Sequence, residues 1–352
     1  MGTSLAQVLK EIRPLDEAAM EAARKRQDNL TKPHGSLGRL EELSIKIAGI
    51  TGNPVPKLQH KAIITMAADH GVVAEGTSLY PQEVTPQMVY NFLNGGAAIN
   101  VLGKHVGARV VVVDMGVAAG LPKHPGMVCK MVGLGTQNMA KGPAMPREEA
   151  AFSVQMGIDV LEEELANGLD IVGTGDMGIG NTTASSAICA VITGEPVEKV
   201  TGRGTGLDDK GLEHKVAVIR RALEVNKPNP KDAIDVLAKV GGYEIGGIAG
   251  VILGAASHRI PVVIDGFISG AGALIAAGLC PQVKDYMIPA HTSVEVGHRA
   301  ILKHLGLTSY LDLNMRLGEG TGAALGICLA DAACKILSEM ATFKDAGVTE
   351  AE

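Results

Sequence analysis

The sequence predicts an α/β protein, and three observations carry that reading. Short apolar runs recur through the middle of the chain, each closing on a small or acidic residue, most of them with a glycine next. Segments with helical spacing of apolar and charged residues lie between them. The runs are apolar throughout instead of alternating, which is the pattern of strands covered on both faces. Together they describe a Rossmann-like parallel sheet flanked by helices. Ligands of such sheets bind at the carboxyl ends of the strands.

The elements follow in order. Leu15, Met20, Ala23, Leu30, Leu37, Leu40, Leu43, Ile45 and Ile47 recur at rough helical spacing, so residues 1–50 predict helices. A Pro–Gly loop over Thr31–Leu40 interrupts them, with Ser36 expected to cap the next helix. From Lys61 the apolar runs begin: Ala62–Ala68 before Asp69-His70-Gly71, Val110–Val113 before Asp114-Met115-Gly116, and Ile171-Val172 before Gly173-Thr174-Gly175. Val262–Ile264 precedes Asp265-Gly266, and Tyr286–Ala290 is a weaker fifth run. Helical patterns intervene over Met88–His105, Arg147–Leu165, Lys210–Val225 and Lys231–Lys239, and again from Thr321 to about Met340. The expected organisation is a small helical domain from both chain ends (1–58 and 320–345), a large catalytic α/β domain (59–319), and a frayed tail (346–352). No internal repeat is visible.

Composition narrows the function. A chain of 352 residues with 46% hydrophobic content can bury a large core. No run of about 18 apolar residues lacks polar interruption, so no membrane partner is expected. Met1–Arg13 has no basic flank with an apolar core, so no signal peptide is read and a cytoplasmic location is expected. A net charge of −6 and an aromatic content of 3% argue against nucleic acid. The five cysteines are scattered without a CxxC pair, and read as reduced thiols. Glycine is abundant, at 45 residues, which is read as many strand-to-helix turns near a ligand.

Four motifs can carry chemistry. Glu319 stands between Gly318 and Gly320 ahead of an apolar helical pattern. Glycines let the backbone approach a ligand, and a carboxylate in a tight apolar pocket is suited to general-base work near neutrality. The alternative is a helix-start glutamate favoured by the dipole. Gly173, Gly175 and Gly178 match G-x-G-x-x-G after a strand and before a helix, with Glu195 about twenty residues on, as in dinucleotide sites. Asp176 inside that loop would repel a pyrophosphate, so a loop cradling a ribose or a single phosphate is an equal alternative. Gly202-Arg203-Gly204-Thr205-Gly206 followed by Lys215 has the makings of an anion site, against a flexible turn and a solvated lysine. His291-Thr292-Ser293 sits at a strand end. No His or Cys spacing suits a metal, so Asp69-His70 reads as structural and no metal is expected.

Several motifs together resemble one family, the nicotinate-nucleotide:dimethylbenzimidazole phosphoribosyltransferases of cobamide biosynthesis. The matching stretches are Lys32-Pro33-His34-Gly35-Ser36-Leu37-Gly38, Ala68-Asp69-His70-Gly71-Val72 and Tyr80-Pro81-Gln82-Glu83-Val84-Thr85. Gly175–Thr183, Val263–Phe267 and Arg316–Gly320 complete the series, in family order across nearly the whole chain. The resemblance implies transfer of 5-phosphoribose from nicotinate mononucleotide to an aromatic lower-ligand base, giving an α-riboside phosphate and nicotinate. It implies no cofactor, and a dimer of this chain with itself or with a paralogue. Glu319 falls on the family's catalytic base. Asp176, where many relatives carry Glu, would be a second catalytic carboxylate. Gly178, Gly204, Lys215 and Ser293 fall on phosphate and ribose positions, with Asp265 nearby. Tyr80, Met88, Met177 and Leu317 fall on the acceptor pocket. There the dimethylbenzimidazole enzymes commonly place Ser, Gln and Leu at the first three, so phenol or p-cresol is expected as acceptor beside dimethylbenzimidazole. The alternatives are an NAD-dependent oxidoreductase, from the glycine fingerprint, and a non-catalytic nucleotide-binding subunit of a paralogous pair.

Overall fold

The computed structural model describes residues 3–349. Three helices lead: α1 (Leu5–Glu11), α2 (Glu17–Asp28) and α3 (Arg39–Thr51). Ser4 and Asp16 cap the first two, the Asp16 carboxylate accepting from Ala19 N at 2.9 Å. The cap of α3 is Gly38 in a left-handed conformation, so Ser36 does not fill the role expected of it.

Strand β1 (Lys61–Ala68) opens the sheet, followed by α4 (Val84–Leu93), α5 (Ala98–Val106), β2 (Ala108–Gly116) and the three-residue β3 (Met127–Cys129). Next come α6 (Arg147–Leu165), β4 (Ile171–Met177), α7 (Asn181–Thr193), α8 (Val197–Val200), α9 (Asp209–Asn226), α10 (Ala233–Val240) and α11 (Tyr243–Ser257). The chain continues through β5 (Val262–Ile264), α12 (Phe267–Leu279), β6 (Met287–Pro289), α13 (Gly297–Leu305), α14 (Thr321–Glu339) and α15 (Phe343–Ala346). Of the tail expected to fray, residues 350–352 lie outside the described residues.

All neighbouring strands pair in parallel, in the order β3-β2-β1-β4-β5-β6. The chain therefore runs outwards in one direction from β1 and in the other from β4. The crevice between them, outside their carboxyl ends, is the topological switch point.

Both faces of the sheet are covered, as continuous apolar strands require. Alternation in β1 divides the core: Ala62, Ile64, Met66 and Ala68 join one cluster with α6, α11 and α12. Ile63 and Ala67 join the other, with Leu43 and Ile47 of α3 and Ala323, Ile327 and Ala330 of α14. Helix α14 is long and apolar enough to cross a bilayer, and 56% of that stretch is buried, with Ala323, Ile327 and Ala330 packed against the sheet and α3.

Two expectations change. Strand β3 was not foreseen, because Met127-Val128-Cys129 is short, edge-placed and only partly buried. Many glycines serve helix packing, not ligand turns. A Cβ on Gly157 of α6 would lie 2.0 Å from Gly247 O, and one on Gly250 of α11 would lie 2.0 Å from Val154 O. Helices α6 and α11 touch backbone to backbone there.

Candidate active site

A cavity of about 540 Å³ opens over the switch point. It is lined by the β4–α7 loop (Asp176–Thr182), Gly204-Thr205, Gly266–Ile268, the strand-end residues His291, Ser293 and Glu295, and Arg316–Glu319. Thr77, Ser78, Tyr80, Val84 and Met88 close the remaining side. The stretches singled out from the sequence thus converge from six chain segments.

Glu319 precedes Gly320, the N-cap of α14, and is only 5% exposed. Its φ of 64° is left-handed, a conformation unusual for a residue with a Cβ. Three contacts hold it there. Thr65 Oγ1 of β1 donates to Glu319 O at 2.9 Å. Gly175 of β4 packs so closely that a Cβ on it would lie 2.4 Å from that same oxygen. Asp265, beyond β5, accepts from Gly320 N at 3.1 Å and from Ala323 N at 3.0 Å. The carboxylate reaches the cavity with Oε2 unpartnered among the described residues. Burial raises its pKa above the ordinary glutamate value, and the Ile99 backbone amide at the start of α5 offsets part of that.

Asp176 lies beside it, buried, with Oδ2 accepting from Asn181 Nδ2 at 3.0 Å. Burial and the nearby carboxylates of Asp265 and Glu244 push its pKa well above the usual range. Below the β4–α7 loop, His70 Nε2 and Glu244 Oε1 form a fully buried ion pair at 2.7 Å. Burial opposes the charge on His70, yet Glu244 and Asp69 raise its pKa overall. Asp69 Oδ2 accepts from Ala118 N at 2.9 Å, so Asp69 and His70 both make buried contacts beneath the loop. Among the described residues no group of three or more His, Cys, Asp or Glu side chains is arranged to hold a metal.

Gly178, Gly204 and Ser293 also line the cavity, and Lys215 lies behind Gly204, its Nζ 3.2 Å from where a Cβ on that glycine would stand. Lys215 is fully buried; Nζ donates to Thr182 Oγ1 at 2.8 Å and to Gly202 O at 3.3 Å. Burial lowers its pKa to about 8, with Glu295 opposing. Asp265 does not line the cavity: both its oxygens are turned to the first amides of α14. On the acceptor side Met88 and Met177 are half-buried in the wall, while Tyr80 (53% exposed) and Leu317 (58% exposed) stand at its rim.

Sequence reasoning missed Glu295, Thr77 and Arg316. Glu295 lines the cavity beside Lys215, and among the described residues its Oε2 and the buried Thr77 hydroxyl have no partner. Arg316 Nη1 donates to Gly204 O at 3.2 Å and ties the two glycine-rich loops together. Glu295 lies two residues beyond Ser293, so the strand-end position was the available signal.

The glycine fingerprint has a packing cause. A Cβ on Gly173 would press on Ala323 Cβ at 3.0 Å, and one on Gly178 would meet Ala68 O at 2.3 Å. Glu195 lies beyond the far end of α7, whose 13 residues span roughly 20 Å. It is not placed to meet a ribose at the loop, so the dinucleotide reading fails.

A family model described as phosphoribosyltransferase matches residues 12–348. Fold and site therefore define a phosphoribosyltransferase. The nicotinate-nucleotide–dimethylbenzimidazole phosphoribosyltransferase of Desulforudis audaxviator (strain MP104C) is 63% identical over 348 residues, covering 99% of each chain. The one from Roseiflexus sp. (strain RS-1) is 62% identical over 345 residues, covering 98% of each. The crystal structure of CobT from Thermus thermophilus superposes with a TM-score of 0.92 at 46% identity, over 95% of this chain and 100% of that one. The chain belongs to the nicotinate-nucleotide–dimethylbenzimidazole phosphoribosyltransferase family.

Proposed function

We propose that this enzyme moves the 5-phosphoribosyl group of nicotinate mononucleotide onto an aromatic lower-ligand base of a cobamide, releasing nicotinate. The observation that carries the reading is Glu319, a buried carboxylate with one free oxygen, held at the strand switch point by three separate contacts. The acceptor's N–H or O–H proton passes to Glu319. The acceptor atom then bonds C1′ of the ribose, and the C1′–N bond breaks with its electrons going to the pyridine nitrogen. Nicotinate leaves through a neutral ring nitrogen, so no general acid is needed. The Gly178–Gly204–Ser293 end, backed by Lys215, suits the 5-phosphate.

For the acceptor, the relatives' names support dimethylbenzimidazole. The wall supports a phenol or p-cresol as well. Thioethers at Met88 and Met177 give soft apolar surface where a second ring nitrogen would want a partner. Leaving that nitrogen unpaired costs about 1–3 kcal/mol, a cost a phenol does not meet. Exposed Leu79, Tyr80 and Leu317 near the cavity support pairing of two chains, with itself or a paralogue. Free cysteines fit a reducing, cytoplasmic setting.

The test is mass spectrometry of products from nicotinate mononucleotide with dimethylbenzimidazole, phenol and p-cresol in competition. A riboside phosphate with nicotinate release is expected. No transfer to any acceptor, with this chain alone or paired with a paralogue, refutes the reaction. Absence of phenolic product alone refutes the wider acceptor range. Tyr80→Ser with Met88→Gln should shift preference towards the benzimidazole.

A further inference from the structure

Helix α14 begins without a cap of its own. Its N-cap is Gly320, which has no side chain to offer the first amides. The acceptor comes from elsewhere in the chain: Asp265 Oδ2 takes Gly320 N and Asp265 Oδ1 takes Ala323 N. This requires a buried carboxylate to sit against the helix end, and Gly322 provides the room. A Cβ there would lie 2.7 Å from Asp265 Oδ1 and 2.1 Å from His291 Cδ2. The residue on the other side of Gly320 is Glu319, with its left-handed backbone. Strain of that kind persists only where the surroundings over-determine it. Of the contacts that do so, Thr65 and Gly175 act on the Glu319 carbonyl, and Asp265 alone among the described hydrogen bonds fixes the next amide.

We infer that Asp265 is a positioning residue: it caps α14 from the end of β5 and thereby holds the Glu319 carboxylate at its place in the cavity. The inference rests on the proposed role of Glu319 for its effect on rate, and on geometry alone for its effect on structure. Asp265 does not touch the donor; it acts through the Gly320 amide. Its carboxyl is raised to about 7 by burial, the three helix amides acting in the opposite direction, so the cap strengthens as pH rises and the carboxylate forms.

The test is a double-mutant cycle with a structural arm. Asp265→Ala should lower kcat about a hundredfold, the scale for misplacing a catalytic group by an ångström, with KM for nicotinate mononucleotide little changed. Asp265→Asn keeps one carbonyl acceptor and should fall between it and wild type, serving as the readout if the alanine variant does not fold. Placed in a Glu319→Gln background, either change should cost almost nothing further, because both act through one carboxylate. A multiplicative loss, or a rise in KM with kcat kept, overturns the inference. Crystal structures of the Asp265 variants give the second reading. Glu319 φ relaxing from 64° supports the cap, and an unmoved Glu319 overturns it. That arm stands even if Glu319→Gln proves active, an outcome that would sink the base assignment instead.

Discussion

Gly175→Ala is the most direct test of how finely Glu319 must be placed. Gly175 sits in β4, paired with Thr65 of β1, in the middle of the sheet. A methyl group there would lie 2.4 Å from Glu319 O, 2.6 Å from Glu319 C and 2.8 Å from Gly320 N, whereas ordinary contact begins near 3.4 Å. All three obstructing atoms are backbone, so no side-chain rotation relieves the clash. The central strand is held on both sides, so the turn before α14 must retreat by about 1 Å, a displacement that costs about a hundredfold in rate when it falls on a reacting group. Retreat also lengthens the Thr65 Oγ1 bond to Glu319 O, now 2.9 Å. Overpacking of this kind costs about 1–3 kcal/mol of stability, which a domain of this size survives. The assay is nicotinate release at saturating donor and acceptor, with a thermal melt to establish that the variant is folded. We expect a folded protein with kcat down about a hundredfold and donor KM nearly unchanged. A folded variant with wild-type kcat would refute the placement argument.

Three further outcomes follow from the same geometry. Glu319→Gln keeps shape while losing basicity, and should lower kcat at least about a hundredfold with donor binding retained, measured by steady-state kinetics and calorimetric titration. Because burial raises the Glu319 pKa, its base form is lost at a higher pH than usual. The acid limb of kcat should therefore lie above the ordinary 4.5, and a limb at 4.5 would contradict the burial argument. Lys215, lowered to about 8 in the free enzyme, loses its charge above that pH, so kcat/KM for nicotinate mononucleotide should fall there. Lys215→Ala should remove that alkaline limb and raise KM more than it lowers kcat; nicotinate riboside, lacking the phosphate, should be indifferent to the change.

Local patterns were legible and remote ones were not. The span Arg147–Leu165 shows its helix in the sequence because its amphipathic period is long and uninterrupted. Strand β1 shows because burial on both faces makes it almost wholly apolar, and β4 shows through its apolar start Ile171-Val172 before the glycines. Glu319 shows because two glycines flank it. Asp265 was visible as a strand-end acid, but not what it binds: its partners Gly320 and Ala323 lie 55 and 58 residues away, and backbone amides leave no mark on a sequence. The glycines misled for a related reason. A glycine needed by another segment's backbone, as Gly175 is by Glu319, reads the same as one needed by a phosphate.

The cavity carboxylates Asp176 and Glu319 are not equivalent, because their surroundings act on them differently. Asp176 has Asp265, Glu244 and Glu319 as like-charged neighbours, on top of its burial. Glu319 is raised chiefly by burial, with the Ile99 amide working in favour of its charge. Carboxylates that share a buried site cannot all ionise together, and the proton settles where the repulsion is greatest. Burial and like charge therefore favour the protonated form of Asp176 more strongly than that of Glu319. Environments that push two acids apart define which serves as base. We propose that Asp176, held by Asn181 Nδ2, turns its acid group to the ribose and stabilises the positive charge that develops there. A neutral amide at this position mimics the protonated form. Asp176→Asn should thus bind nicotinate mononucleotide as wild type does. Its kcat should fall about tenfold, well short of the loss in Glu319→Gln, since it removes stabilisation of the developing charge and leaves the base. A loss in Asp176→Asn equal to or larger than that in Glu319→Gln would reverse the two assignments.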